Sequence, residues 1–70
     1  MTASIKITVN GNTREFDSKS SLDDLLRVLD LDPRMVVVEH NRSIVRRPQL
    51  AATPLEDGDS VELVHFVGGG

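Results

Sequence analysis

Cysteine is absent from this sequence, and its absence excludes several kinds of chemistry at once. Without a thiol there is no disulfide, thiolate zinc site, cysteine nucleophile or side-chain persulfide that could carry sulfur. Aromatic residues are scarce, since Phe16 and Phe66 are the only two. The 11 acidic residues outnumber the 8 basic ones and give a formal charge of −3. Aromatic side chains stack on bases, and basic side chains neutralise phosphates. Because this sequence has few aromatic residues and a net negative charge, we expect no nucleic acid partner.

Long hydrophobic runs are also missing. No stretch approaches the roughly 20 apolar residues that span a membrane, and the opening MTASIKITVN does not have the pattern of a signal peptide. We therefore expect a cytoplasmic protein with no membrane partner. The 70 residues predict a single small domain over residues 1–67, followed by a flexible glycine tail over residues 68–70.

In the first half of the chain, the spacing of apolar residues changes from that of strands to that of a helix. The stretch SIKITVNGNTREF alternates apolar and polar residues around Asn10-Gly11, which predicts a β-hairpin because both residues tolerate positive φ. In SKSSLDDLLRVLDLDP the leucines recur at helical spacing, which predicts a helix of about ten residues. Ser20 or Ser21 is expected to cap its N-terminus, and Pro33 follows its end.

The second half reads as strands and loops. MVVVEHNRSIV predicts a strand, a turn at Asn41-Arg42 and a short second strand, whereas RRPQLAATPLEDGD is mostly loop with a turn at Asp57-Gly58. SVELVHFV predicts the final strand. Two strands, one helix and two or three further strands predict an α+β fold. Its architecture is a ubiquitin-like β-grasp roll, in which a mixed four- to five-stranded sheet packs on one main helix.

Catalytic and metal-binding patterns are not found. His40 and His65 lie 25 positions apart without the spacing of metal ligands, and the serines lack a nucleophile-elbow pattern. Glu56, Asp57 and Asp59 surround Gly58, an arrangement that turn chemistry explains without a bound cation. We therefore expect no catalytic residue, no metal and no permanently bound cofactor, and predict that the chain is not itself an enzyme.

Two features of the sequence suggest a protein partner. Arg42, Arg46 and Arg47 form a basic patch in an acidic chain, which suits either an acidic partner surface or simple solvation. If Val61 in the last strand faces the core, then Val64 and Phe66 lie on the opposite face as exposed apolar residues. A register shift or a bulge would bury them instead, and the sequence leaves both alternatives open.

The sequence ends in Gly68, Gly69 and Gly70, and a triple glycine does not help a fold because glycine loses the most conformational freedom on ordering. A terminal glycine carboxylate has no Cβ beside it, so it can enter a channel too narrow for a side chain. Three extended residues reach roughly 10 Å. We therefore predict that the tail delivers its carboxylate into the site of another enzyme.

Taken in order along the chain, these motifs resemble the ThiS family of sulfur carriers of thiamine biosynthesis. The likeness covers essentially the whole sequence: an IxIxVNG opening, the SLDDLLRVLDL helix, VVVEHNRSIVRR, an acidic turn with glycine, and the terminal glycines. Gly69 and Gly70 match the family's diglycine end, and Gly68 is an additional glycine.

The resemblance implies that the protein is a carrier and co-substrate. An adenylating partner similar to ubiquitin-activating enzymes (ThiF-like) would use ATP and Mg²⁺ to join the Gly70 carboxylate to AMP. Sulfur from a donor such as a cysteine desulfurase would then leave a thiocarboxylate at Gly70. Thiazole synthase (ThiG-like) would take this sulfur for the thiazole ring. Val64, Phe66 and Val67 are then the candidate docking residues, with Arg46 and Arg47 at the rim.

Two alternatives remain open from the sequence. A carrier for molybdopterin synthase, of the MoaD family, shares the fold, the tail and the activation chemistry, although its members tend to be longer and to have prolines before the tail. A ubiquitin-like modifier conjugated to lysines, or a β-grasp interaction module with an inert tail, belongs to a different functional class.

Overall fold

The computed structural model describes residues 3–66. Within them a five-stranded mixed sheet packs on one main helix, as the sequence predicts. The elements in chain order are β1 (Ser4–Val9), β2 (Asn12–Asp17), α1 (Leu22–Val28), a 3₁₀ turn (Pro33–Met35), β3 (Val36–His40), β4 (Ser43–Val45), α2 (Arg47–Leu50) and β5 (Ser60–His65).

The strand order is β2-β1-β5-β3-β4, so the last strand lies in the middle of the sheet. Strand β5 runs parallel to β1, with Thr8 opposite Ser60, and antiparallel to β3. The other neighbouring strands are joined by hairpins. Because β5 has a neighbour on both sides, its residues alternate between a face covered by the helix and an open face.

The core lies between α1 and the inner face of the sheet. Ile7, Leu22, Leu25 and Val61 are fully buried there. In a strand every second side chain points to the same face, and in a helix side chains three or four positions apart share a face. These residues therefore all point toward the core. The other buried apolar residues are Val9, Phe16, Leu26, Val36, Val38, Leu50 and Leu55.

The start of α1 is a capping box between Ser21 and Asp24. The Asp24 N–H donates to Ser21 Oγ at 3.2 Å, and the Ser21 N–H donates to Asp24 Oδ2 at 2.8 Å. Hydrogen bonds from the Ser21 backbone and hydroxyl hold the pKa of the Asp24 carboxyl below its ordinary value. Of the two serines that the sequence offered as caps, the structure selects Ser21.

The helix is seven residues long and so ends earlier than the sequence pattern predicts. Asp30 takes a positive φ of 58°, and its N–H donates to the Arg27 carbonyl. The Leu31 N–H donates to the Leu26 carbonyl, which completes a Schellman motif. Leu29 still falls at helical spacing after the last helical residue, Val28, but Asp30 turns the backbone away from the helix axis.

The segment predicted to be mostly loop contains one short helix. Arg47–Leu50 forms α2, with Pro48 in its first turn and Leu50 buried in the core. Proline is compatible with the first turn of a helix because the N–H that it lacks would have no intrahelical partner there. The turn at Asp57-Gly58 follows as predicted, with Gly58 at a φ of 89°.

Candidate functional site

The open face of the sheet carries exposed apolar residues near the end of β5. Val64 is 56% exposed and Phe66 is 49% exposed, while Val61 is fully buried against the helix side. The pairing of β5 with β3 is unbroken from Val61 to His65, so no bulge turns these residues inward. This settles the alternative that the sequence left open, in favour of exposure.

Neighbouring strands extend this apolar surface. Val64 lies directly opposite Val37 on β3, and the Phe66 N–H donates to the Met35 carbonyl at 2.8 Å. Ile44 on β4 is 66% exposed, and its pairing with Glu39 places it on the same face. We call this surface the outer apolar strip, and it consists of Met35, Val37, Ile44, Val64 and Phe66.

Arg46 and Arg47 border the strip on the side of β4. They follow β4 directly, and both are exposed at the start of α2. A shallow groove is lined by both arginines together with Val37 and Ile44. Neither arginine belongs to an ion pair within residues 3–66. The structure therefore brings Arg46 and Arg47 to the same side of the molecule as Val64 and Phe66.

A polar network that the sequence did not reveal lies at the opposite end of β5. His40 Nε2 lies 2.7 Å from Asp59 Oδ2, and both side chains are largely buried. The Asn41 side chain donates to Asp59 Oδ1 at 3.1 Å, and the Glu56 N–H donates to Asp59 Oδ2 at 2.9 Å. Burial by itself would raise the pKa of the Asp59 carboxyl, but the hydrogen bonds from His40, Asn41 and Glu56 outweigh it and lower the pKa.

This network fixes the turn before β5 to the end of β3. His40 and Asp59 are 19 residues apart, and only the strand register brings them together. Among the residues that the structure describes, no group of three or more potential ligands is placed to hold a metal ion. Asp57 also has a structural contact, because its Oδ1 accepts from the Lys6 N–H at 2.8 Å. Asp57 and Asp59 thus both accept hydrogen bonds from backbone N–H groups.

Four predicted site residues lie outside the described part of the chain: Val67, Gly68, Gly69 and Gly70. The chain reaches them from Phe66, at the same end of the sheet as Met35 and Val37. Phe66, the last residue that the structure describes, belongs to the outer apolar strip. Within residues 3–66, no helix is long and apolar enough to cross a membrane.

Comparison with known families decides the assignment. The ThiS family model matches residues 7–70 of this chain, which includes the end of β1 and everything from β2 to the glycines. The chain belongs to the ThiS family. The resemblance noted in the sequence is thereby confirmed, and the match extends over the surface described above.

Curated relatives of this ThiS-family chain include a sulfur carrier protein and a thiazole synthase. The sulfur carrier protein ThiS of Bacillus subtilis is 40% identical over 50 residues, which cover 71% of this chain and 76% of that protein. A thiazole synthase of Paramagnetospirillum magneticum is 39% identical over 66 residues, or 94% of this chain. The chain spans only 20% of the length of that thiazole synthase.

Solved structures of the family have the same fold. The crystal structure of the thiamine biosynthesis protein ThiS from Geobacter metallireducens superposes with a TM-score of 0.80 at 35% identity. The match covers 94% of this chain and all of that one. The predicted α+β roll, with a five-stranded mixed sheet and one main helix, is thereby confirmed.

Proposed function

We propose that this ThiS-family chain is a sulfur carrier of thiamine biosynthesis whose Gly70 carboxylate is converted to a thiocarboxylate. The observation that supports this most directly is the extent of the family match, which continues through Gly68 and Gly69 to Gly70. A family match that stopped with the folded strands would support the fold alone. The Bacillus subtilis relative is itself named a sulfur carrier protein.

The proposed chemistry begins with a carboxylate, which is a poor electrophile. The Gly70 carboxylate attacks the α-phosphorus of ATP, pyrophosphate leaves, and an acyl adenylate forms. A persulfide sulfur then attacks the acyl carbon and AMP leaves. A thiol cleaves the sulfur–sulfur bond of the acyl persulfide, forming a disulfide and releasing the thiocarboxylate. The adenylating partner supplies ATP and Mg²⁺, and this chain, which has no cysteine, supplies the acyl group.

Three partners follow from this chemistry: a ThiF-like adenylyltransferase similar to ubiquitin-activating enzymes, a sulfur donor such as a cysteine desulfurase, and a ThiG-like thiazole synthase. Support for the last comes from curated thiazole synthases of Paramagnetospirillum magneticum and Magnetococcus marinus, which contain a segment matching 94% of this chain. We place the carrier in the cytoplasm with these enzymes, as a co-substrate without catalytic residues of its own.

The outer apolar strip is the proposed docking surface. Val64 and Phe66 are exposed apolar side chains shortly before the glycine tail. Val67 is the next apolar residue in the sequence. Burial of such side chains against a partner is favourable at about 25 cal/mol per Å² of apolar surface. Arg46 and Arg47 at the rim attract an acidic partner surface and orient its approach. The proposed glycine tail, residues 68–70, then enters the active site of the partner.

The test is the intact mass of the chain after incubation with the adenylating enzyme, ATP and a sulfur donor. We expect the mass gain of one oxygen replaced by one sulfur, in the chain ending at Gly70 and not in a matched variant that lacks Gly70. The same enzyme acting on its own carrier protein serves as the positive control. An unchanged mass beside an active control would reject the carrier function.

A further inference from the structure

Successive residues of β5 direct their backbone N–H and C=O groups alternately toward β3 and toward β1. The Asn41 N–H donates to the Ser60 carbonyl at 2.8 Å, and at the other end the Phe66 N–H donates to the Met35 carbonyl at 2.8 Å. Even-numbered residues of β5 therefore direct their N–H and C=O groups toward β3. Odd-numbered residues direct theirs toward β1.

On the side that faces β1, the hydrogen bonds of β5 stop before β5 itself ends. The Asn10 N–H donates to the Val61 carbonyl at 2.9 Å, and the Leu63 N–H donates to Asn10 Oδ1 at 2.7 Å. The next residue that faces this side is His65. Strand β1 ends at Val9, and the chain turns away into the first hairpin. Within residues 3–66, the N–H and C=O groups of His65 have no hydrogen-bond partner.

This open edge of β5 borders a groove with an apolar floor. Val9 and Val36 from the sheet and Leu29 and Leu31 after the helix line it. Asn10, Asn12 and Leu63 lie on its walls, together with the basic side chains Arg14 and His65. Among the residues that the structure describes, no carboxylate lines the groove. Its shape and charge therefore suit an extended chain segment with apolar side chains and one acidic side chain.

We propose that the β5 edge at His65 is a strand-addition site for an extended, partly acidic segment of the enzyme that activates Gly70. The incoming segment bonds to the N–H and C=O groups of His65, and its alternate side chains contact the apolar floor of the groove. This proposal rests on the proposed function, because it assumes that an activating enzyme holds the tail.

The position of the edge favours this occupant. Gly70 lies five positions after His65, a reach of ~17 Å when extended. An enzyme that holds the Gly70 carboxylate must therefore lie close to His65. The thiocarboxylate forms only after activation, so the activating enzyme meets an unmodified carboxylate. It therefore has to recognise the carrier through its folded part. A bonded edge strand would also fix the direction in which residues 66–70 leave the sheet.

A pair of substitutions at His65 separates the backbone from the side chain. His65→Pro removes an N–H that bonds nothing within residues 3–66, and proline is tolerated on a strand edge that faces solvent. His65→Ala keeps the N–H and removes only the imidazole. We expect His65→Pro to weaken binding to the activating enzyme by about tenfold, and His65→Ala, which removes one basic side chain of the groove but keeps the N–H, to weaken it by only about threefold.

A measurement on the unmodified protein guards against misfolding of the proline variant. Amide hydrogen exchange followed by NMR reports on His65 directly. We expect the His65 N–H to exchange fast in the carrier alone and to be protected when the activating enzyme is bound. Normal binding of His65→Pro, or an unprotected His65 amide in the complex, would overturn the strand-addition site while the mass test could still support the carrier function.

Other outcomes also decide the proposal. If His65→Pro is activated normally and fails only with thiazole synthase, the assignment to the activating enzyme is wrong. A concentration-dependent dimer of the wild type that His65→Pro abolishes would assign the edge to a second copy of the chain and overturn the partner assignment. If the wild-type chain is not adenylated at all, the proposed function and this inference fail together.

Discussion

The side chain of Asn10 hydrogen-bonds both backbone groups of Leu63, accepting from its N–H at 2.7 Å and donating to its carbonyl at 3.3 Å. Asn10 lies in the turn after β1, so its amide takes the place of the strand residue that would otherwise pair with β5. Asn41 in the second hairpin has a related role, since its Oδ1 accepts from the Ser60 N–H at 2.9 Å. Turn asparagines therefore support β5 at two points along its length.

Replacing Asn10 by glycine should lower the free energy of unfolding by about 1 kcal/mol, because it removes both side-chain bonds to Leu63. Glycine tolerates the positive φ of 48° that this position requires, so the turn itself is preserved. Urea unfolding measures the loss. Asn12→Ala, at an exposed position beside the same turn, is the control and should change stability by less than about 0.5 kcal/mol. Equal losses in both variants would contradict the role assigned to the Asn10 amide.

Replacing Asp59 by asparagine should lower stability at neutral pH by about 2 kcal/mol, because charged hydrogen-bond acceptors contribute more than neutral ones. The Asp59 carboxylate accepts from His40, Asn41 and the backbone of Glu56. Glu56→Gln is the matched control, because it removes a carboxylate from an exposed side chain in the same turn. Its effect should be small at every pH.

The difference between wild type and Asp59→Asn should depend on pH. The pKa of Asp59 is lowered in the folded protein relative to the ordinary value of 3.8. The folded state therefore holds this proton less tightly than the unfolded state, and the stabilisation is complete above the ordinary pKa. It is lost as the pH falls through 3.8 and then through the lower folded pKa. Unfolding curves from pH 7 down to pH 2 would measure this, and a constant difference over that range would contradict it.

Ser21→Ala should lower the free energy of unfolding by about 1 kcal/mol, because it removes the cap at the start of α1. The Asp24 N–H loses its acceptor, and the Asp24 carboxylate loses the donating hydroxyl. Thermal unfolding at constant pH measures the change. Ser18→Ala, in the exposed turn before the helix, is the control. A loss no larger than that of the control would show that the capping box contributes little.

Phe66→Glu should weaken binding to the adenylating enzyme by at least about tenfold, because it places a charge in the outer apolar strip where the proposed interface excludes water. Ser18→Glu introduces the same side chain in the exposed turn before α1, away from both the strip and the groove beside His65. It should bind within about twofold of wild type. Calorimetry or fluorescence titration gives both constants, and normal binding of Phe66→Glu would reject the docking surface.

Arg47→Glu should slow association with the same enzyme several-fold at low salt, because rim charges act mainly on the encounter rate. The effect should shrink toward 0.5 M salt, where screening shortens the range of charge interactions. Arg42→Glu makes the same change of charge in the turn after β3 and serves as the control. Stopped-flow association rates at two salt concentrations measure both variants. Equal slowing by the two variants would assign the effect to net charge and not to the rim.

The sequence predicts those parts of the fold that depend on local chemistry. Asn10-Gly11 identifies the first hairpin, and the pair Ser20-Ser21 locates the start of the helix to within one residue. The end of the helix was predicted too late, since Asp30 in a left-handed conformation is a weaker signal than glycine. The helix α2 was missed because it is one turn long and is stabilised by burial of Leu50.

The candidate site depends more on tertiary structure. The alternation of side chains in β5 indicated Val64 and Phe66 as candidate exposed residues. Only the unbroken register with β3 shows that they are exposed. Asn10 and Leu63 are 53 positions apart, and no pattern in the sequence links them. Similarly, the open edge at His65 exists because β1 ends before β5 does, which is a property of the pairing and not of either strand alone.

The central position of β5 also bears on how the chain folds during synthesis. Strand β5 is translated after the other strands, yet it joins β1 to β3, and Thr8 meets a partner as distant as Ser60. The two hairpins can form early, but they cannot become one sheet until β5 has left the ribosome. Such long-range closure is slow compared with local contacts. A nascent chain therefore acquires its docking surface and the strand that leads to residues 67–70 in the same folding step.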